Sequence, residues 1–109
     1  MRTLTDAVAA VKSTGTPVVA VRWPKDAAPA PPYVCWMLGS TKNAYGDDGV
    51  RLVVGSHDFE LYCDEVDLAL ERSIEAAFAT AGIAWSKERV YVESEDLIET
   101  IYSMDLIEI

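Results

Sequence analysis

The only histidine, His57, stands beside Asp58, and an imidazole next to a carboxylate is the shortest pattern here that could make a general base. No third group is identifiable that would orient such a base, and a lone histidine in a strand is more often a structural residue. The two cysteines, Cys35 and Cys63, could form a disulfide or stay as buried thiols. If residues 33–42 and 50–63 pair around a loop near Tyr45, Cys35 lies opposite residue 57 or 58. The Cα separation from Cys63 then exceeds the ~7 Å limit of a bridge, which favours two thiols. No CxxC or Cys/His spacing suggests zinc. Asn43 with Asp47 and Asp48 offers oxygen ligands for calcium, but without EF-hand spacing, and paired Asp in a hairpin tip are ordinary turn formers. Glu93, Glu95, Asp96 and Glu99 could bind a cation; a solvated acidic turn is the preferred reading. Ser13, Ser40, Ser56 and Ser86 have no candidate partner, and no GxSxG, phosphate-binding loop or dinucleotide fingerprint occurs. The chain therefore reads as a non-enzyme, with no catalytic, cofactor or metal site.

The 109 residues suggest one domain, 1–109, and with half of them hydrophobic the chain has enough apolar material for a core. The net charge is −9 and unevenly placed. Residues 1–52 hold six bases and four acids; residues 53–109 hold three bases and fourteen acids. Such a surface repels phosphates and lacks the basic stripe that sequence-specific nucleic-acid binding requires. No run is apolar enough to span a membrane, and Met1 to Asp6 lacks the apolar core of a signal peptide, so the expectation is an intracellular protein.

The elements are organised around Val50 to Gly82. Apolar residues fall at even positions before Gly55 (Val50, Leu52, Val54) and at odd positions after it (Phe59, Leu61, Cys63). A change of parity needs one extra residue, so the reading is one long bent strand with a β-bulge at Gly55-Ser56. A helix follows, capped by Asp64 or Asp67, with Val66, Leu70, Ile74, Ala77, Phe78 and Ala81 on one face and Glu71, Arg72 and Glu75 on the other. Gly82 ends it, and Ile83 folds back on the last turn.

Before this stretch, Thr3 to Thr14 reads as a helix with an approximate Thr3/Asp6 capping box, stopped by Gly15. Thr16 to Trp23 reads as a strand covered on both faces. Pro24 to Pro32, with four prolines in nine residues, is a loop extending from the core. Tyr33 to Thr41 is a strand, with Tyr33, Cys35 and Met37 on one face. After the helix come a linker from Trp85 to Arg89, a short strand Val90 to Val92, an acidic turn, and a final strand region from Leu97 to Ile109. The expectation is an α+β fold of order α-β-β-β-α-β-β, with an antiparallel or mixed sheet of about five strands.

Trp23, Tyr33, Trp36, Tyr45, Tyr91 and Tyr102 lie in strands, near strand ends or in loops. Aromatic residues serve cores and interfaces alike. With the apolar faces of two strands, they favour sheet surface buried against a partner, including further copies of the chain.

The series of motifs resembles a known family. It runs from a short helix and Thr16-Pro17-Val18-Val19-Ala20 through Pro31-Pro32-Tyr33-Val34 and Asn43-Ala44-Tyr45-Gly46-Asp47. It continues with Phe59-Glu60-Leu61-Tyr62-Cys63-Asp64, a helix to Ala81-Gly82-Ile83, Trp85-Ser86-Lys87-Glu88, Tyr91-Val92-Glu93-Ser94-Glu95 and Ile101-Tyr102. In this order the chain resembles the tail-completion, or tail-terminator, proteins of long-tailed bacteriophages and prophages. The segment Trp23 to Pro32 is richer in proline and alanine than that pattern. The resemblance implies an α+β subunit that closes into a ring, commonly of six, at the end of the tail tube. The ring would stop tube growth and meet the head connector, in the host cytoplasm during assembly and in the virion tail afterwards. On this reading Trp36, Asn43, Tyr45, Asp47, Tyr91 and Tyr102 are interface candidates. Glu60, Glu93 and Glu95 are candidate acids of a lumen that must not hold passing DNA. Two other readings stand beside it: an acidic inhibitor or antitoxin-like module that occupies a basic partner, and a small enzyme using His57 with Asp58.

Overall fold

Alternation along the strands decides which side chains meet the helices, and the computed structural model describes residues 1–41, 44–46 and 49–109. Helix α1 spans Leu4–Ser13, and strands β1 Val18–Ala20, β2 Tyr33–Thr41, β3 Ala44–Gly46, β4 Gly49–Leu52 and β5 Val54–Cys63 follow. Helix α2 spans Leu68–Thr80, then come β6 Ser86–Val92, a 3-10 turn Glu93–Glu95 and β7 Leu97–Ile107. Five strands form the main sheet in the order β1-β2-β5-β7-β6, while β3 and β4 make a separate hairpin. In this sheet β1 and β2 run parallel, while β2-β5, β5-β7 and β7-β6 are antiparallel. Apart from the hairpin, this is the expected α-β-β-β-α-β-β order of an α+β fold.

Both helices begin and end by local chemistry. The Thr3 hydroxyl accepts the Asp6 N–H at 3.1 Å and the Asp6 carboxylate accepts the Thr3 N–H at 3.2 Å, so the capping box is complete. Asp67, not Asp64, caps α2 by accepting the Leu70 N–H at 3.0 Å. At its far end the Ile83 N–H reaches the Phe78 carbonyl and the Gly82 N–H the Ala79 carbonyl. Gly82 sits at φ +75°, where a side chain would be strained, and buried Ile83 folds back into the core.

The core lies between the helices and one face of the sheet. Ala7, Ala10 and Val11 of α1 and Ile74 and Phe78 of α2 close over Val34, Phe59, Leu61, Tyr102, Met104 and Leu106. Phe78 meets Phe59 and Tyr102 edge-on, with ring centres 5.9 and 5.8 Å apart. The chain ends are tied together: Ile107 donates to the Arg2 carbonyl, and Thr5 donates to the Ile109 carbonyl through both its N–H and its hydroxyl.

Four expectations need correction. The long strand is two strands. Its parity change falls at Val53, between β4 in the hairpin and β5 in the sheet, and β5 pairs with β7 without interruption from Val54 to Cys63. The bulge belongs to β2, where Leu38 faces His57 but Thr41 faces Gly55. Gly39 suits that place because a Cβ there would sit 2.8 Å from the Ser56 carbonyl oxygen. Next, β1 is three residues long and half-buried at best, since the chain turns away at Val21 with φ +63°. Then β6 starts at Ser86, so the expected linker is strand.

Finally, Glu71 does not face water: it is buried, and Glu75 is half-buried. Glu71 accepts hydrogen bonds from Lys87 at 3.1 Å, from Arg89 at 2.6 and 3.1 Å, and from the buried Thr100 hydroxyl at 3.3 Å. Glu75 accepts from Lys87 at 2.9 Å and from the Tyr102 hydroxyl at 2.7 Å. A polar clasp thus fastens α2 to β6 and β7. Burial by itself would raise the Glu71 carboxyl, but the hydrogen bonds and charges of Arg89 and Lys87 outweigh it and hold it below the ordinary carboxylate value.

The cysteines are free and buried. Cys35 lies opposite Glu60 rather than residue 57 or 58, because the β3–β4 hairpin takes up chain between the two strands and the β2 bulge takes back only one residue of it, and Cys63 lies opposite Ile98. Burial, before nearby carboxylates, pushes both thiols up, Cys63 to about 11.

Candidate functional site

With both helices on one face, the register brings the alternate residues of four strands together on the other. Tyr33, Cys35 and Met37 come from β2 and Asp58, Glu60 and Tyr62 from β5. Glu99, Ile101 and Asp105 come from β7, and Glu88 and Val90 from β6. Five carboxylates thus share a face on which these strands place no lysine or arginine. Trp23 reaches its β2 corner, edge-on to Tyr33 at 6.1 Å, and Tyr33 stacks on Tyr62 at 5.4 Å.

The acids on this face influence one another. Partial burial raises the Glu60 carboxyl, Glu99 and Asp58 add repulsion, and a hydrogen bond from the Tyr62 hydroxyl (3.3 Å) opposes them. Burial first, and then the Glu99 and Glu60 carboxylates, push the Tyr62 hydroxyl well up. Asp58 is satisfied by the Ser103 hydroxyl at 2.7 Å. Among the described residues, no three His, Cys, Asp or Glu side chains converge in a way that could hold a metal ion. A polar, anionic sheet surface with apolar flanks can repel polyanions or receive a cationic partner.

His57 and Asp58 point to opposite faces. His57 is fully buried on the helix side, where its Nδ1 lies 2.8 Å from the Gly55 carbonyl oxygen and donates to it. Its Nε2 faces the Glu108 carboxylate at 3.6 Å, beyond hydrogen-bond range. The suggested His57–Asp58 pair is therefore not assembled, because neighbours in a strand diverge.

The other sequence candidates scatter. Trp36 is half-buried against the core. Tyr102 is 1% exposed and bonded to Glu75, so its burial is complete within the subunit. Tyr91 is 56% exposed at the sheet edge, its hydroxyl donating to Asp96 at 2.9 Å. Tyr45 lies in β3, its backbone opposite Val50. Asn43 and Asp47, with the suggested calcium ligands, lie outside the described residues. Glu60 is on the uncovered face. Glu93 and Glu95 are exposed in the 3-10 turn at one end of the sheet, and Glu95 helps to raise the Tyr33 hydroxyl, behind burial and Cys35. The acidic cluster is split, since Asp96 stays in the turn while Glu99 joins Glu60. Sequence reasoning missed Glu99 as a neighbour of Glu60, and Glu88 and Asp105 as acids of the same face. The alternation of Asp58, Glu60 and Tyr62 was the available signal, and only the β5-β7-β6 register turns it into a surface. Among the described residues no helix is long and apolar enough to cross a membrane.

No protein-family model matches this chain, and no curated protein matches it significantly. Among solved structures it is similar to a chain in the virion of the native gene transfer agent (GTA) particle, with 19% identity. The alignment covers 93% of this chain and 82% of that chain, with a TM-score of 0.53. At that identity the likeness establishes a shared fold: the α+β arrangement described above is also that of a chain in this virion.

Proposed function

We propose that this chain is one tail-terminator-like domain and a structural protein of a phage or prophage virion. It caps the tail tube and joins it to the head connector as a ring, with six copies the family's usual number. The observation that carries the reading is the likeness, over nearly the whole chain, to a chain of the gene transfer agent virion. The motif series supports it. The partners are then further copies of the chain, the tail-tube protein and the head connector; the place is the host cytoplasm during assembly and the virion tail afterwards. Added to tail-tube protein as it polymerises, the purified chain should produce tubes with a ring at one end that stop growing. Tubes of unchanged length with bare ends would contradict the role.

In this role the uncovered acidic face, with Glu60, and the turn at its end, with Glu93 and Glu95, face the lumen, where repulsion keeps DNA from sticking. Changing these three together to Gln should slow DNA ejection from the variant virion. An unchanged ejection rate would remove the lumen assignment. The five carboxylates without a basic neighbour also favour a second reading, an acidic module that binds a basic protein. Such a module would be a monomer or dimer and would leave tail tubes untouched.

A further inference from the structure

We infer that copies join head to tail by strand addition: the second half of β6, Val90 to Val92, pairs antiparallel with the outer edge of β2 in the next copy. This rests on the ring reading and assigns its joint. Among the described residues strand β6 closes one side of the main sheet, with no strand beyond it. Its first half carries Lys87, Glu88 and Arg89, the kind of charges that guard an edge, but its second half exposes Val90 and Tyr91 (40% and 56%). On the other side β1 covers β2 only along Val34 to Trp36. The Val21 N–H then takes the Trp36 carbonyl and the chain turns away at φ +63°. Beyond that point nothing among the described residues pairs with the outer edge of β2, and Leu38 there is 58% exposed.

The two edges fit each other better than either fits itself. In the main sheet β6 runs opposite to β2, so a neighbour placed beside it by simple rotation offers an antiparallel edge. Leu38 and Tyr91 both project to the helix side, so a register that sets them opposite each other buries both. Charge agrees at one end of the joint: exposed Arg22 and Lys25, with Asp26 beside them, flank the β1 end of the β2 edge, and this register brings exposed Glu93 and Glu95, just past β6, to that end. Two-fold pairing of β6 with itself centred on Glu88 or Arg89 sets Lys87 against Arg89 or Arg89 against Arg89, which like charges disfavour, and centred on Val90 or Tyr91 it leaves Leu38 of β2 exposed. Head-to-tail contacts generate rings when the rotation closes.

The test is the full-length Leu38→Cys/Tyr91→Cys double variant, oxidised and run on a non-reducing gel. A ladder of covalent multimers up to ring size is expected. Each single variant should give none, because the native thiols are buried. Leu38→Asp, exposed in the subunit, should keep the melting curve and reduce a ring to monomers. Wild-type rings with no ladder and an unchanged Leu38→Asp mass would overturn the joint while leaving the ring intact. Wild-type chain that forms no ring even with tail tubes would overturn both.

Discussion

Phe78→Ala should destabilise the subunit by about 3–5 kcal/mol, the usual cost of removing a fully buried aromatic ring. The ring is the contact between α2 and the middle of the sheet, edge-on to both Phe59 and Tyr102. Both neighbours are anchored by the paired backbones of β5 and β7, which limits how far they can move into the space. For a chain of this length, whose whole stability is on the order of 5–15 kcal/mol, the loss is roughly a fifth or more. Thermal melting should show a fall of well over ~10 °C. A fall of only a few degrees would mean that α2 is not the lid of this core.

Glu71→Gln should cost about 2–3 kcal/mol, because hydrogen bonds to a buried charge are worth roughly 1.5–3 kcal/mol and Gln cannot satisfy Lys87, Arg89 and Thr100 together. The effect depends on pH. The folded carboxyl titrates below its unfolded value, so its stabilisation is present above ~4.3 and is lost as pH falls through the lowered folded value. The gap between wild type and variant, measured by urea unfolding, should be constant near neutrality and shrink below about pH 4. A gap that stays open in acid would show that the side chain acts through packing and not through charge. Glu60 works in the opposite sense. Its carboxyl is raised, chiefly by burial, so its contribution to folding is full below the unfolded value and is lost as pH rises through the folded one.

The clasp also explains what the sequence concealed. Apolar periodicity identifies α2, its Gly82 stop and the return of Ile83, since caps are local chemistry. It misplaces Glu71 because a carboxylate on a helix ordinarily faces water, and it misreads Ser86 to Arg89 because Lys87 and Arg89 resemble a linker. The two errors have one cause: the contact between α2 and β6 is polar, and a hydrophobic pattern cannot register a buried surface made of charges. The break at Val53 shows a subtler loss. Parity announces an irregularity, but only pairing shows that β4 leaves for the hairpin while β5 stays in the sheet. The parallel β1–β2 contact and the acidic face depend on register between distant segments, so Glu60 is legible as an acid in a strand while its neighbours Glu99 and Asp58 are not legible as a surface.

Assembly is the central claim, and it is tested most directly by the mass of the chain in solution, measured by light scattering across a range of concentrations, alone and with tail tubes. A discrete ring, present at the outset or forming as concentration rises or tubes are added, is the expected result. A monomer at every concentration, unchanged by tail tubes, would contradict the tail-terminator role and leave the acidic binding module as the better reading of the same fold.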